Sequence, residues 1–112
     1  MRRDAGALLD VVRAMRLAID FAGDSTPERL EADTLTFSAV QHQLMVMGEA
    51  VKRLSPEFIA THPDFPWSEM AGMRDRLIHR YDEVDASIVC AALHEEMPAL
   101  LAKLQPLLPG EP

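Results

Sequence analysis

The chain is predicted to be all-α, on three observations. Apolar residues make up 48% of the sequence and aromatics only 5%, and the apolar content is mostly Leu, Ala, Met and Val, which favour or tolerate helices. These residues recur at spacings of three and four through most of the chain, the period of one helix face. Between the periodic segments lie helix-start residues, Ser, Thr or Asp, in two places followed directly by proline. With 112 residues, a single domain over 1–112 is expected, with a frayed tail at 109–112.

Leu8, Val12, Met15, Ile19 and Ala22 define one face of a first helix that ends near Gly23. Ser25-Thr26-Pro27-Glu28 then reads as a helix start: Ser25 or Thr26 can cap the free amides, proline suits the first turn, and Glu28 can complete a capping box. The second helix is expected to kink near Asp33-Thr34 and to continue with Phe37, Val40, Leu44, Met47, Val51 and Leu54 on one stripe. Its extra apolar residues, Met45 and Val46, imply contact on more than one side, which makes it the central helix and suggests a dimer. Gly48 and Ala50 form a thin patch where another helix can approach.

Ser55-Pro56-Glu57 opens a short helical turn. His62-Pro63-Asp64-Phe65-Pro66-Trp67 should be a loop, because a residue before proline is pushed out of the helical region, and Trp67 should pin it to the core. A further helix is expected from Ser68 to about Tyr81, seated by Met70, Met73 and Leu77. Asp82 to Asp85 make a turn, Asp85 caps a last helix to about Leu108, and Pro98 should kink that helix by removing one amide donor.

A net charge of −7 and a pI of about 4.9 argue against a protein that coats nucleic acid through a broadly basic surface, so an RNA contact has to be local and DNA is not an expected partner. The single cysteine, Cys90, excludes an intrachain disulfide and a cysteine-rich zinc site. No apolar run is long enough for a membrane span, and the first residues lead into an amphipathic pattern rather than a signal peptide. A cytoplasmic protein is the expectation. No pair of histidines shares a turn, so a metal site is rejected, and lone Gly72 makes no phosphate loop. No cofactor is expected.

The chemistry concentrates in Met73-Arg74-Asp75-Arg76-Leu77-Ile78-His79-Arg80-Tyr81, where three arginines, a histidine and a tyrosine meet in an acidic chain. On a helix, Asp75 and His79 are four apart, so the carboxylate can hold one imidazole nitrogen and leave the other free to move a proton. Arg76 neighbours His79, Arg74 can swing toward the same space, and Tyr81 returns to the face of Arg74. The bland alternative is a solvated helix face with Asp75 paired to an arginine of its own helix. His42, His62 and His94 are read as solvated, and Cys90 as a small core residue.

Gly48-Glu49-Ala50, Lys52-Arg53-Leu54-Ser55-Pro56-Glu57, Pro66-Trp67, Ala71-Gly72-Met73-Arg74, Leu77-Ile78-His79, Tyr81, Val84-Asp85, Ile88-Val89 and Met97-Pro98-Ala99-Leu100 together resemble the HepT-like branch of the HEPN superfamily. The resemblance implies a four- or five-helix up-and-down bundle that dimerises and acts as a metal-independent ribonuclease toxin. Its partner would be a minimal nucleotidyltransferase antitoxin of the MntA kind, as in type VII toxin-antitoxin pairs, which attaches AMP to the motif tyrosine. Arg74, His79 and Tyr81 match the motif's arginine, histidine and tyrosine. Asp75 stands where the family often has asparagine, Arg80 where it often has glycine, and Cys90 where it often has an aromatic residue.

On that reading Arg74 and His79 are catalytic, Asp75, Arg76 and Arg80 support them, and Tyr81 receives AMP. Cleaving RNA without a metal needs a base for the 2′-hydroxyl, an acid for the leaving 5′-oxygen and a cation for the charged phosphorane. Two copies of His79 across a dimer would supply the proton transfers, and the product would be a 2′,3′-cyclic phosphate. A second reading, kept open by Asp75, is a catalytically idle substrate or regulatory subunit of the nucleotidyltransferase. A plain helical dimerisation protein is a third.

Overall fold

The computed structural model describes residues 2–78 and 84–109, for Arg2 and residues 74–78 the backbone alone, and every regular element among them is helical. Helix α1 spans Arg2–Ala22 and turns Leu8, Val12, Met15 and Ala22 into the core. It stops at Gly23, whose φ of 56° places it in the left-handed region and lets its amide donate to the Ile19 carbonyl at 3.0 Å. Glycine enters this conformation without the Cβ clash that other residues meet.

The expected kink in the second helix is a complete break. Helix α2 spans Pro27–Ala32 and α3 spans Thr34–Lys52, and Asp33 serves both. Its amide donates back to the Arg29 and Leu30 carbonyls, while its carboxylate accepts from the Thr36 amide at 3.1 Å and the Thr36 hydroxyl at 2.7 Å. The two Thr36 bonds, the hydroxyl's first, hold the Asp33 carboxyl below its ordinary range. The α2 cap is Thr26, which accepts from the Arg29 amide. Glu28 therefore sits one position too early for the expected capping box.

α3 is the central helix, packed against α1 on one side and α5 on the other. Val40, Leu44, Met47 and Val51 are buried along it, and Met45 and Val46 pack half-buried against the same core. Among the described residues the exposed large apolar side chains are Leu17, Phe21, Leu35 and Ile88.

A buried polar clamp joins the start of α1 to the turn between α3 and the next helix. Asp4, 4% exposed, accepts from both the amide and the hydroxyl of Ser55 at 2.7 Å. The Ser55 hydroxyl in turn accepts from the Phe58 amide and caps α4, Pro56–Thr61. Arg53 adds an ion pair to Asp10 on the same side of the pair of helices.

Helix α5 spans Trp67–Ile78. Asp85 then caps α6, Ala86–Ala91, by accepting from the Ser87 and Ile88 amides. The expected kink at Pro98 takes a definite form. Proline has no amide to give the carbonyl four residues back and its ring crowds that carbonyl. The chain widens over Ala92–Glu96 into a π-helical turn, with the Met97 amide reaching the Ala92 carbonyl, before α7 resumes over Met97–Leu104 with Pro98 in its first turn. A short 3-10 turn, Gln105–Leu107, ends the helical stretch.

Gly23→Ala should destabilise the fold by about 1 kcal/mol, because the new Cβ would have to sit in the left-handed region. Gly6→Ala, inside α1 and with no atom within 4 Å of the position its Cβ would take, should gain about 0.5–1 kcal/mol. Urea melts of the two variants should move in opposite directions.

A second outcome concerns acid. The Ser55 amide, and then the Ser55 hydroxyl, hold the Asp4 carboxyl below its ordinary value of 3.8. The clamp's contribution is complete above that value and is lost as pH falls through the lower folded-state value. Denaturation followed from about pH 5 to about pH 2 should therefore show a shallower acid loss for Asp4→Asn than for the unaltered chain, the variant starting less stable.

Candidate active site

The helix that carries the predicted motif is seated from below and locked at its start. Met70 and Met73 are buried, 4% and 7% exposed, in the core that α3 supplies. Trp67, 5% exposed, donates its indole N–H to the His62 carbonyl at 2.8 Å. Its ring meets Phe65 at 5.0 Å and Phe58 at 5.9 Å between centroids, and His62 lies 4.5 Å from Phe58. The proline-rich loop is thus a small aromatic cluster folded under the first turn of α5, as expected of Trp67, which begins the helix one residue earlier than predicted.

Arg74, Asp75 and Arg76 occupy the later turns of α5. His79, Arg80 and Tyr81 lie outside the described residues, as do Asp82 and Glu83 of the expected turn. So does any Asp75–His79 pair. The chain is described again from Val84, which packs half-buried against the core, and Asp85, which caps α6. The described chain on either side of residues 79–83 is a helix seated by Met73 and a capped helix start.

Two other histidines are committed elsewhere. His62 is half-buried, with Nδ1 at 3.0 Å from the Phe58 carbonyl. His94 reaches the Ser25 carbonyl through Nε2 at 2.9 Å and ties the π turn to the loop before α2. His62 corrects the expectation of a solvated histidine, while His94 and His42 are exposed as expected. Cys90 is buried, as expected, and burial, with the charge of Glu28 adding to it, pushes its thiol above the ordinary value and makes it a poor nucleophile. Among the described residues no cluster of three or more His, Cys, Asp or Glu is arranged to hold a metal, and no helix is long and apolar enough to cross a membrane.

Sequence reasoning missed a feature beside the motif helix: Met15, Met47, Met70, Met73 and Met97 line a common cavity. Seven methionines in 112 residues was the only signal in the sequence.

Trp67→Phe should keep the fold and lose about 1 kcal/mol, since the His62 carbonyl forfeits its donor. Trp67→Ala should cost about 3–5 kcal/mol by emptying the cluster. Thermal melts would distinguish the two, and equal losses would remove the indole hydrogen bond from this account.

Comparison with known proteins places the chain. The model of the family described as "Ribonuclease HepT-like" matches residues 11–107. A protein of Thermococcus cleftensis named "Probable ribonuclease HepT" is 37% identical over 100 residues, covering 89% of this chain and 91% of that protein. A Methanocaldococcus jannaschii protein whose name marks it as a candidate RNase is 34% identical over 108 residues, covering 96% of this chain and 89% of its own length. Another candidate RNase, from Caldanaerobacter subterraneus, is 39% identical over 79 residues, 70% of each chain. No solved structure matches. With its all-helical bundle and a family match through most of its length, the chain belongs to the HepT-like ribonuclease family.

Proposed function

We propose that this chain is a metal-independent endoribonuclease of a toxin-antitoxin pair, working in the cytoplasm as a homodimer whose site takes a motif helix from each subunit. The observation that carries the reading is the Arg74, His79 and Tyr81 pattern in the sequence, with Arg74 on the core-seated helix α5, in a chain whose family and relatives bear the name ribonuclease.

Catalysis follows from the residue chemistry. His79 of one subunit takes the 2′-hydroxyl proton and His79 of the other returns one to the leaving 5′-oxygen. Arg74 from each chain pairs its forked donors with the scissile phosphate as charge builds on the phosphorane. Arg76 and Arg80 draw in neighbouring phosphates, which suits a local RNA contact on an acidic protein. His62 and His94, each spending a ring nitrogen on a backbone carbonyl, are poor alternatives for the acid and base. Leu17 and Phe21, one turn apart on α1 and both exposed, offer apolar surface to a second subunit.

Control rests on Tyr81. A minimal nucleotidyltransferase antitoxin of the MntA kind transfers AMP to its hydroxyl, which sets a phosphate beside Arg74 and Arg80 and an adenosine where RNA would lie. The competing reading, an idle subunit regulated by that same enzyme, is favoured by Asp75, whose negative charge repels the phosphate that Arg74 would bind.

Purified protein should cleave RNA in EDTA with a bell-shaped pH dependence, and His79→Ala should lose about 10²–10⁴-fold in rate while remaining folded. Tyr81→Phe should still cleave yet gain no AMP on co-expression with the partner, where the unaltered chain gains AMP in intact-mass analysis. Cleavage that persists in His79→Ala would overturn the catalytic assignment. Absent cleavage with AMP addition retained would favour the idle subunit.

A further inference from the structure

The described helices close the bundle unevenly: α3 carries α5, and α1 carries α7, while α5 and α7 share no comparable contact among the described residues. The seam between them holds a cavity of about 200 Å³. Its walls are the side chains of Met15, Met47, Met70, Met73 and Met97, none more than 7% exposed, together with Glu69 and Glu96.

Two properties define what such a space would hold. Thioethers are polarisable and adaptable and make favourable contacts with aromatic rings, and an apolar cavity of about 150 Å³ is enough to take up benzene. One of about 200 Å³ therefore suits a single aromatic ring with a small substituent. Charge sets the sign of that substituent. Glu69 and Glu96 are exposed, and their carboxylates have neither a hydrogen bond nor an ion pair among the described residues, in a chain of net charge −7. Ala92 and Glu96, the first and last residues of the π-helical turn, both line the cavity, so the widening forced by Pro98 helps to shape it. Turns of this kind recur at functional sites.

We propose that this cavity is a binding site for small organic cations built on one aromatic ring, the ring among the five thioethers and the positive group beside Glu69 and Glu96. Met70 and Met73 precede Arg74 on α5, so occupancy would bear directly on the helix that carries the motif. Binding itself does not depend on the ribonuclease reading.

The test uses the full chain labelled with 13C at the methionine methyl groups, titrated with benzyltrimethylammonium and, separately, with phenylacetate, a ring of similar size and opposite charge. The signals of Met15, Met47, Met70, Met73 and Met97 should shift saturably with the cation, and that of Met45, which does not line the cavity, should stay in place. Phenylacetate should bind at least about tenfold more weakly, and the paired substitution Glu69→Gln with Glu96→Gln should weaken the cation about tenfold. Both glutamates are exposed, so the variant should keep the spectrum of the folded protein. No saturable shift, equal shifts at all seven methionines, or equal affinity for cation and anion would overturn the proposal.

Discussion

Burial of α3 on two sides is the constraint from which the rest of the molecule follows. Val40, Leu44, Met47 and Val51 are at most 2% exposed, so α3 cannot move without opening the contact with α1 and the contact with α5 together. α1 is held further by the Asp4–Ser55 clamp and by the ion pair of Asp10 with Arg53. α5 is held by less: among its described side chains the buried anchors are Trp67, Met70 and Met73, each contributing roughly 1.5–3 kcal/mol at most if fully withdrawn from water. The helix that bears the motif is thus positioned by a rigid neighbour through a few large contacts.

The same economy appears in the polar groups. Asp33, Ser55 and Asp85 each satisfy free amides where a helix begins, and Asp33 also donates its own amide to the helix before it. His62 and His94 stitch loops to helices through backbone carbonyls. Asp4, Asp33, Ser55, His62, Asp85 and His94 therefore have structural work in the fold.

Much of the bundle was legible because helix faces repeat. The stripes on α1 and α3, the stop at Gly23, the cap at Asp85 and the pinning role of Trp67 all follow from local chemistry that a single sequence exposes. What escaped depends on three dimensions. Asp33 breaks a helix because its side chain found Thr36, a preference that periodicity does not register. Pro98 signals a disturbance, but whether the chain kinks or widens is decided by packing around it. His62 reads as solvated because the aromatic cluster that half-buries it forms only when the loop folds. His94, exposed as read, meets the Ser25 carbonyl only when the π turn and the loop before α2 come together. Met45 and Val46 looked like surplus apolar surface and instead lie against the core, while Leu17, Phe21 and Ile88 remain exposed on other helices. The methionine cavity joins four helical segments that no spacing rule brings together. At the motif, residue types and spacing carried the reading, and the backbone of α5 adds the seat on which Arg74 and Asp75 stand.

We propose that Arg74, on α5, and His79 act on RNA without a metal. The most direct measurement is the chemical identity of the ends produced when the purified chain cuts a defined RNA in EDTA. Attack by the neighbouring 2′-hydroxyl leaves a 2′,3′-cyclic phosphate and a free 5′-hydroxyl, which mass spectrometry of the fragments resolves. Fragments carrying a 5′-phosphate and a 3′-hydroxyl would mean that water attacked instead, and would contradict the account.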